Sequence, residues 1–340
     1  MDYFRPIAQT DRLRPEGALP LAGGWAWFSH AEHLTRKGSR GLVPAASLPA
    51  AVARRLSRPR AMIAGLTMDR PRLMGILNVT PDSFSDGGRF DRPETAFAHA
   101  RALAAAGAEI LDIGGESTRP GAAEVSAEDE IARTAPVIRA LRRSGVMVPV
   151  SIDTRKAPVA RAALEAGARF VNDVAALSYD PQIAHEVASA GVPLCLMHAQ
   201  GSPATMQNDP RYGDVLLDVY DFLEAAIARA EAAGIPRDRI VVDPGIGFGK
   251  TAAHNLALLR GLSLFHQTGC VILLGASRKR FIGALAGGEA EARADLRMPG
   301  TLAVTLAGVQ QGVQIHRVHD MVEAKQALRL WQAVVLGDEA

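Results

Sequence analysis

Eight short apolar runs, each ending in a polar or glycine-containing loop, constrain this chain more than any other feature. They are LMGIL at 73–77, EILDI at 109–113, VPVSI at 148–152, RFVND at 169–173, PLCLM at 193–197, RIVVD at 239–243, CVILL at 270–274 and VQIHRV at 313–318. Runs of this length bounded by turn residues read as buried strands. Between them helical patterns are expected at 93–106, 128–144, 157–166, 181–190, 215–233, 255–262 and 296–312, with a last one at 321–335. Several of these close on a glycine (Gly107, Gly145, Gly167, Gly191, Gly234, Gly312), the residue that best accepts a left-handed stop. Strands buried on both faces and alternating with helices predict a parallel sheet closed into a (β/α)8 TIM barrel over 73–338. A doubly wound open sheet is the alternative. The number of repeats and the lack of a dinucleotide fingerprint favour the barrel.

Residues 1–72 fall outside this rhythm. They form an N-terminal extension, rich in proline and arginine, whose role the sequence does not give. One short helix is expected within 45–58, and Trp25, Trp27 and Phe28 are candidates to pack on the barrel. Because eight strands can close without it, the first 60 residues are expected to be dispensable for folding and activity.

The remaining totals exclude more than they assign. A formal net charge of +2 gives no reason to expect nucleic acid. No apolar run reaches the roughly 18 residues of a membrane span, and no charged start precedes an apolar stretch as in a signal peptide. Cys195 and Cys270 lie inside apolar runs and read as buried thiols of a cytoplasmic protein.

Polar residues collect where the strands end, which is where a barrel of this kind does its chemistry. Asn78 follows the first run; the second ends in Asp112 and runs into the 114–121 loop (GGESTRPG). Asp153 follows the third, Asn172 and Asp173 end the fourth, and His198 follows the fifth. Asp243 ends the sixth, Gly275 and Ser277-Arg278-Lys279 follow the seventh, and Arg317 and His319 mark the eighth. Asp153, Asn172, Asp243 and Lys279 supply acceptors and donors suited to a flat nitrogen heterocycle. Asn78, Arg119, Arg317 and His319 suit an anion and its Mg2+. Each residue also has a bland reading. Asp153 could cap a helix, Asn172 could satisfy a turn, Lys279 could be a solvated charge, and His198 reads best as a buried, hydrogen-bonded histidine. The glycines at 245, 247 and 249 before Lys250 do not have P-loop spacing.

Taken together, 73–90 (LMGILNVTPDSFSDGGRF), 114–121, 151–155, 171–173, 196–207 (LMHAQGSPATMQ), 243–250, 275–279 and 317–320 (RVHD) resemble the dihydropteroate synthases of folate biosynthesis. The resemblance covers the chain from residue 73 to near its C-terminus. It implies a (β/α)8 barrel, a homodimer, and joining of p-aminobenzoate to 6-hydroxymethyl-7,8-dihydropterin diphosphate with Mg2+. It implies that Asp153, Asn172, Asp243 and Lys279 hold the pterin, with Met197 and Gly275 lining the same pocket. Asn78, Arg119, Arg317 and His319 would hold the diphosphate, with Asn78 on the metal. Thr118, Pro120, Phe248 and Ser277 would border p-aminobenzoate, and Asp82, Phe84 and Asp86 would belong to a loop closing over both substrates. Ile246 and Ala199 depart from the residues common in the family, without removing a needed polar group. A corrinoid-type pterin methyltransferase shares the pterin carboxylates but needs no diphosphate site. A non-catalytic pterin binder is the second rival.

Overall fold

The computed structural model describes residues 2–80, 92–117, 124–201 and 205–337. The extension contributes β1 (Tyr3–Pro6), β2 (Leu19–Pro20), β3 (Trp27–Phe28), β4 (His30–Thr35), β5 (Gly38–Pro44) and α1 (Ala50–Ser57). Then strands and helices alternate: β6 (Arg72–Asn78), α2 (Arg92–Ala106), β7 (Ile110–Gly114), α3 (Ala127–Arg143), β8 (Val150–Asp153), α4 (Ala157–Ala166), β9 (Phe170–Asp173) and α5 (Ile183–Ala190). The second half runs β10 (Leu194–Met197), α6 (Val215–Ala232), β11 (Ile240–Asp243), α7 (Ala252–Arg260), β12 (Val271–Leu274), α8 (Arg280–Ala286), α9 (Glu289–Ala292), α10 (Met298–Gln310), β13 (Ile315–Val318) and α11 (Met321–Trp331). Strands β6 to β13 form a closed parallel barrel, sealed where β13 pairs with β6. The open-sheet alternative is thereby excluded.

Local chemistry sets the helix ends. Asp214 accepts from the backbone N–H groups of Leu216 and Leu217 and starts α6. Thr251 and His254 form a reciprocal capping box, so α7 begins three residues before its apolar pattern becomes visible. The six glycines expected to stop helices all lie at positive φ. In the extension, Pro49 holds Leu48 extended, which splits the expected helix into a 3-10 turn and α1. The short α8 and α9 had no apolar period long enough to read.

Inside the barrel, alternate residues share one face. The lower interior is apolar, with Met74, Ile110, Phe170, Cys195, Val241, Leu273 and Ile315 packed together. Ile63 and Met68 join this cluster from below. They flank a tight hairpin in which Ile63 and Leu66 exchange both backbone hydrogen bonds, at 3.0 and 2.9 Å. The base is therefore plugged by the segment just before β6, and the polar mouth stands on a dry floor.

The extension does not stand apart. Tyr3, Phe4, Leu21, Trp25, Phe28 and Leu56 belong to the same buried cluster as the helices around the barrel. The Tyr3 hydroxyl donates to Asp221 at 2.9 Å, and Ser263 Oγ donates to the Pro6 carbonyl at 2.7 Å. Trp25 Nε1 donates to the Val309 carbonyl at 2.9 Å in the last turn of α10, an oxygen that also accepts from the Gly312 N–H at 3.0 Å. This shared core argues against a barrel that can dispense with its first 60 residues.

Candidate active site

Two residues above the apolar floor, the same inward-facing rows turn polar. Ile110 leads to Asp112, Ser151 to Asp153, Phe170 to Asn172, Cys195 to Met197, Val241 to Asp243, Leu273 to Gly275 and Ile315 to Arg317. The period of two thus places a polar residue at the mouth in five of these seven rows, Met197 and Gly275 being the exceptions. Neighbouring registers bring Asp153 opposite Asn172, and Met197 opposite Asp243.

Hydrogen bonds tie these rows together across four strands. Asn172 Nδ2 donates to Asp112 Oδ2 at 3.1 Å. Arg317 Nε donates to the same oxygen at 2.5 Å, and its Nη2 donates to Asp153 Oδ2 at 2.7 Å. A Cβ on Gly275 would lie 3.3 Å from Asp243 Oδ2 and 3.9 Å from Arg317 Cδ, so the glycine leaves room between them. Asp112 Oδ1 and Ser151 Oγ are buried without a hydrogen-bond partner among the described residues. A buried acceptor in that state calls for a donor.

Burial shapes the charges. It pushes the Asp153 carboxyl up to about 7; Arg317 opposes the rise and Asp112 adds to it. Burial likewise raises Asp243 to about 6, against the pull of the Gly245 N–H and of Lys279 and Lys250. Burial works against the Arg317 charge, but Asp112 and Asp153 hold it above the ordinary arginine value.

The next layer frames this pocket. Lys279 Nζ sits 3.9 Å from the centre of the Phe248 ring, a cation–π contact linking the loops after β12 and β11. Ser277 Oγ and His319 Nδ1 are 2.9 Å apart. Between them Arg278 turns away, at φ 58°, with its guanidinium on Asp320 and its N–H on Thr301 Oγ1. Asn78 ends β6, beside β13, and is partly exposed at the mouth. Arg317 and His319, expected side by side on one anion, engage different partners. Arg317 bridges the expected anion group and the heterocycle group. Asp82, Phe84, Asp86, Thr118, Arg119 and Pro120 lie outside the described residues.

Two residues escaped the sequence reading. Asp112 was visible as a strand-end carboxylate but was not placed in the pocket. Its signal was its spacing, two residues past a floor residue. Lys250 is the other. Its ammonium donates to the carbonyls of Gly245 and Phe248, both at 2.9 Å, and lies 2.8 Å from His198 Nδ1. It thereby knots the loop that carries Phe248. Gly245 is obligatory there: it has φ 67°, and a Cβ would fall 1.8 Å from the His198 carbonyl oxygen. Burial depresses Lys250 to about 7 and His198 to about 3, so His198 stays neutral and buried, as its bland reading held. Arg155 and Lys156 also have structural roles. Arg155 pairs with Glu116 and covers the Tyr179 ring, and Lys156 is bound to Glu130 at 2.8 Å.

Known proteins with this arrangement share its chemistry by name. A family model described as pterin binding enzyme matches residues 74–319. The dihydropteroate synthase of Escherichia coli strain K12 is 45% identical over 275 residues, spanning 81% of this chain and 95% of the relative. The solved structure of Xanthomonas albilineans dihydropteroate synthase with 4-aminobenzoic acid matches with TM-score 0.75 and 47% identity, over 81% of this chain and 98% of that one. The same enzyme in complex with 7,8-dihydropteroate matches with TM-score 0.73 and 45% identity, over 81% of this chain and 98% of that one. About a fifth of the chain has no counterpart in these relatives, while the pocket-bearing barrel is matched almost throughout. On this evidence the chain belongs to the dihydropteroate synthases, transferases within the pterin-binding enzyme family.

Proposed function

We propose that the chain condenses p-aminobenzoate with 6-hydroxymethyl-7,8-dihydropterin diphosphate, giving 7,8-dihydropteroate and pyrophosphate. The observation that carries this reading is the buried layer of Asp112, Asp153, Asn172 and Asp243, with Asp112 Oδ1 left unpartnered. A pterin edge offers an amino group and ring N–H donors to such acceptors, and its carbonyl oxygen suits the Lys279 ammonium. Phe248, in contact with Lys279, gives the aromatic amine a flat wall.

As the bond from the pterin methylene carbon to oxygen breaks, its electron pair leaves with the diphosphate. The amine nitrogen forms the new bond to that carbon and then sheds a proton. Positive charge on the methylene is spread into the pterin, and the Asp153 carboxylate stabilises it. Negative charge grows on the diphosphate, where Arg119, Arg317 and His319 oppose it. Arg317, bound to Asp112 and Asp153, would act on the leaving diphosphate from beside the pterin carboxylates. The aromatic amine is a weak base and needs no strong general base, so positioning and electrostatics carry the rate.

Among the described residues no three or more His, Cys, Asp or Glu side chains come together to hold a metal. We infer that Mg2+ would arrive with the diphosphate, Asn78 at the end of β6 offering it an amide oxygen. When bound it would screen the charge of the leaving group. We place the protein in the cytoplasm; among the described residues no helix is long and apolar enough to cross a membrane. A homodimer is supported by Val322, Leu330 and Val334, large apolar side chains exposed at the C-terminal end of the fold.

Calorimetry with a bare pterin tests the pocket. Asp243→Ala should stay folded and bind pterin roughly 10- to 100-fold more weakly, as expected for loss of a charged acceptor. Unchanged affinity in the folded variant would overturn the assignment. The methyltransferase rival has no feature in its favour, since it leaves the strand-8 pair Arg317 and His319 unused.

A further inference from the structure

Opposite the catalytic mouth, at the base of the barrel, the extension and the barrel enclose a cavity of about 340 Å³. One wall is the end of α1 and the turn after it, with Arg54, Arg55, Arg58 and Arg60. The other is Arg237 and Asp238 before β11, with Cys270 and Val271 at the start of β12. The volume lies in the range of small-molecule pockets.

Its charge is unbalanced. Arg55 and Arg237 share Glu224, and Arg237 also holds Glu231. With Asp238 that makes three carboxylates against five arginines. Arg54 and Arg58 are exposed and carry no side-chain hydrogen bond or ion pair among the described residues. They lie four apart on the α1 face and just beyond its end, so they can reach one ligand together. Arg60 is held by oxygens alone. Its guanidinium donates to the carbonyls of Cys270 and His266 at 3.0 Å each, and to those of Arg55 and Arg58 at 2.9 and 3.0 Å. No carboxylate among the described residues pairs with it, and its contacts with Arg55 and Arg58 offset the negative end of α1. Burial and the neighbouring Arg58 depress Arg60 to about 10, the mark of a cation short of negative charge.

We propose that this cavity is a second binding site, for a small polyanion such as an inorganic polyphosphate or a phosphorylated metabolite. A guanidinium cluster is well matched to phosphate oxygens, and the concave wall excludes an extended duplex. The site draws seven of its twelve lining residues from the extension, which precedes the stretch 74–319 matched by the pterin-binding family model. It therefore gives that extension a ligand-binding role independent of the chemistry at the mouth.

The test is calorimetric titration of the full chain with inorganic tripolyphosphate, repeated with adenosine triphosphate. The catalytic mouth also takes phosphates, so the wild-type chain should show two sites. In Arg54→Ala/Arg58→Ala one of them should weaken tenfold or more, with turnover unchanged. Tighter binding of the nucleotide would assign the site to phosphorylated metabolites, and equal binding to the inorganic chain. A single site in the wild-type chain, or two unaltered sites in the double variant, would overturn the proposal.

Discussion

Trp25→Ala asks whether the extension is part of the barrel's fold. The indole is buried at 9% exposure, in the core shared with the helices, and its N–H serves a carbonyl in the last turn of α10. Removing a large aromatic from a core costs about 3–5 kcal/mol. The lost hydrogen bond adds at most about 1 kcal/mol, because the Val309 carbonyl still accepts from the Gly312 N–H. If extension and barrel unfold as one unit, a loss of about 3–6 kcal/mol lowers the melting temperature by about 4–8 °C, at roughly 1.4 °C per kcal/mol for a chain of this size. Differential scanning calorimetry should show one transition, shifted as a whole. An unmoved main transition, or a small early one with the main peak in place, would refute the shared-core reasoning and restore an independent barrel.

Other expectations follow from the mouth. Asp243 and Asp153 have folded values of about 6 and about 7, above those of an unfolded chain. Their stabilising contribution is therefore full below about pH 4 and is lost as the pH rises through 6 to 7. Urea unfolding should accordingly show Asp243→Asn gaining on the wild-type chain across that interval; a constant difference would argue against the raised value. Arg317→Ala leaves Asp112 and Asp153 without their shared cation and should cut turnover by about 10²-fold or more, measured by product formation under saturating substrates. Lys250→Met should destabilise the fold by about 2–4 kcal/mol in the same urea assay and raise KM for p-aminobenzoate through a loosened Phe248 loop. A KM equal to wild type would confine Lys250 to stability.

The barrel was legible because parallel strands buried on both faces leave unbroken apolar runs. All eight strands appear within two residues of their expected places. The pocket was legible where a polar residue closes a run, as at Asp153, Asn172 and Asp243. Asp112 was legible as a strand-end carboxylate, but its place in the pocket was not, because its partners Asn172 and Arg317 come from other strands. Lys250 was obscured because its partners are backbone carbonyls of a loop whose path no local pattern specifies. The extension was the least legible part. Its strands are short and pair only with one another, and the contacts that dock it on the barrel, such as Phe4 N–H to Gln267, span hundreds of residues and leave no periodic trace. The pairing of Arg317 with carboxylates from two other strands is of the same long-range kind.

The most direct test of the central claim follows both products in one reaction. Purified protein is mixed with the pterin diphosphate and Mg2+, with and without p-aminobenzoate, and pyrophosphate and 7,8-dihydropteroate are quantified together. The account predicts equal amounts of the two products when both substrates are present, and little pyrophosphate when p-aminobenzoate is omitted. Pyrophosphate released at the same rate without p-aminobenzoate, or no dihydropteroate at all, would contradict it.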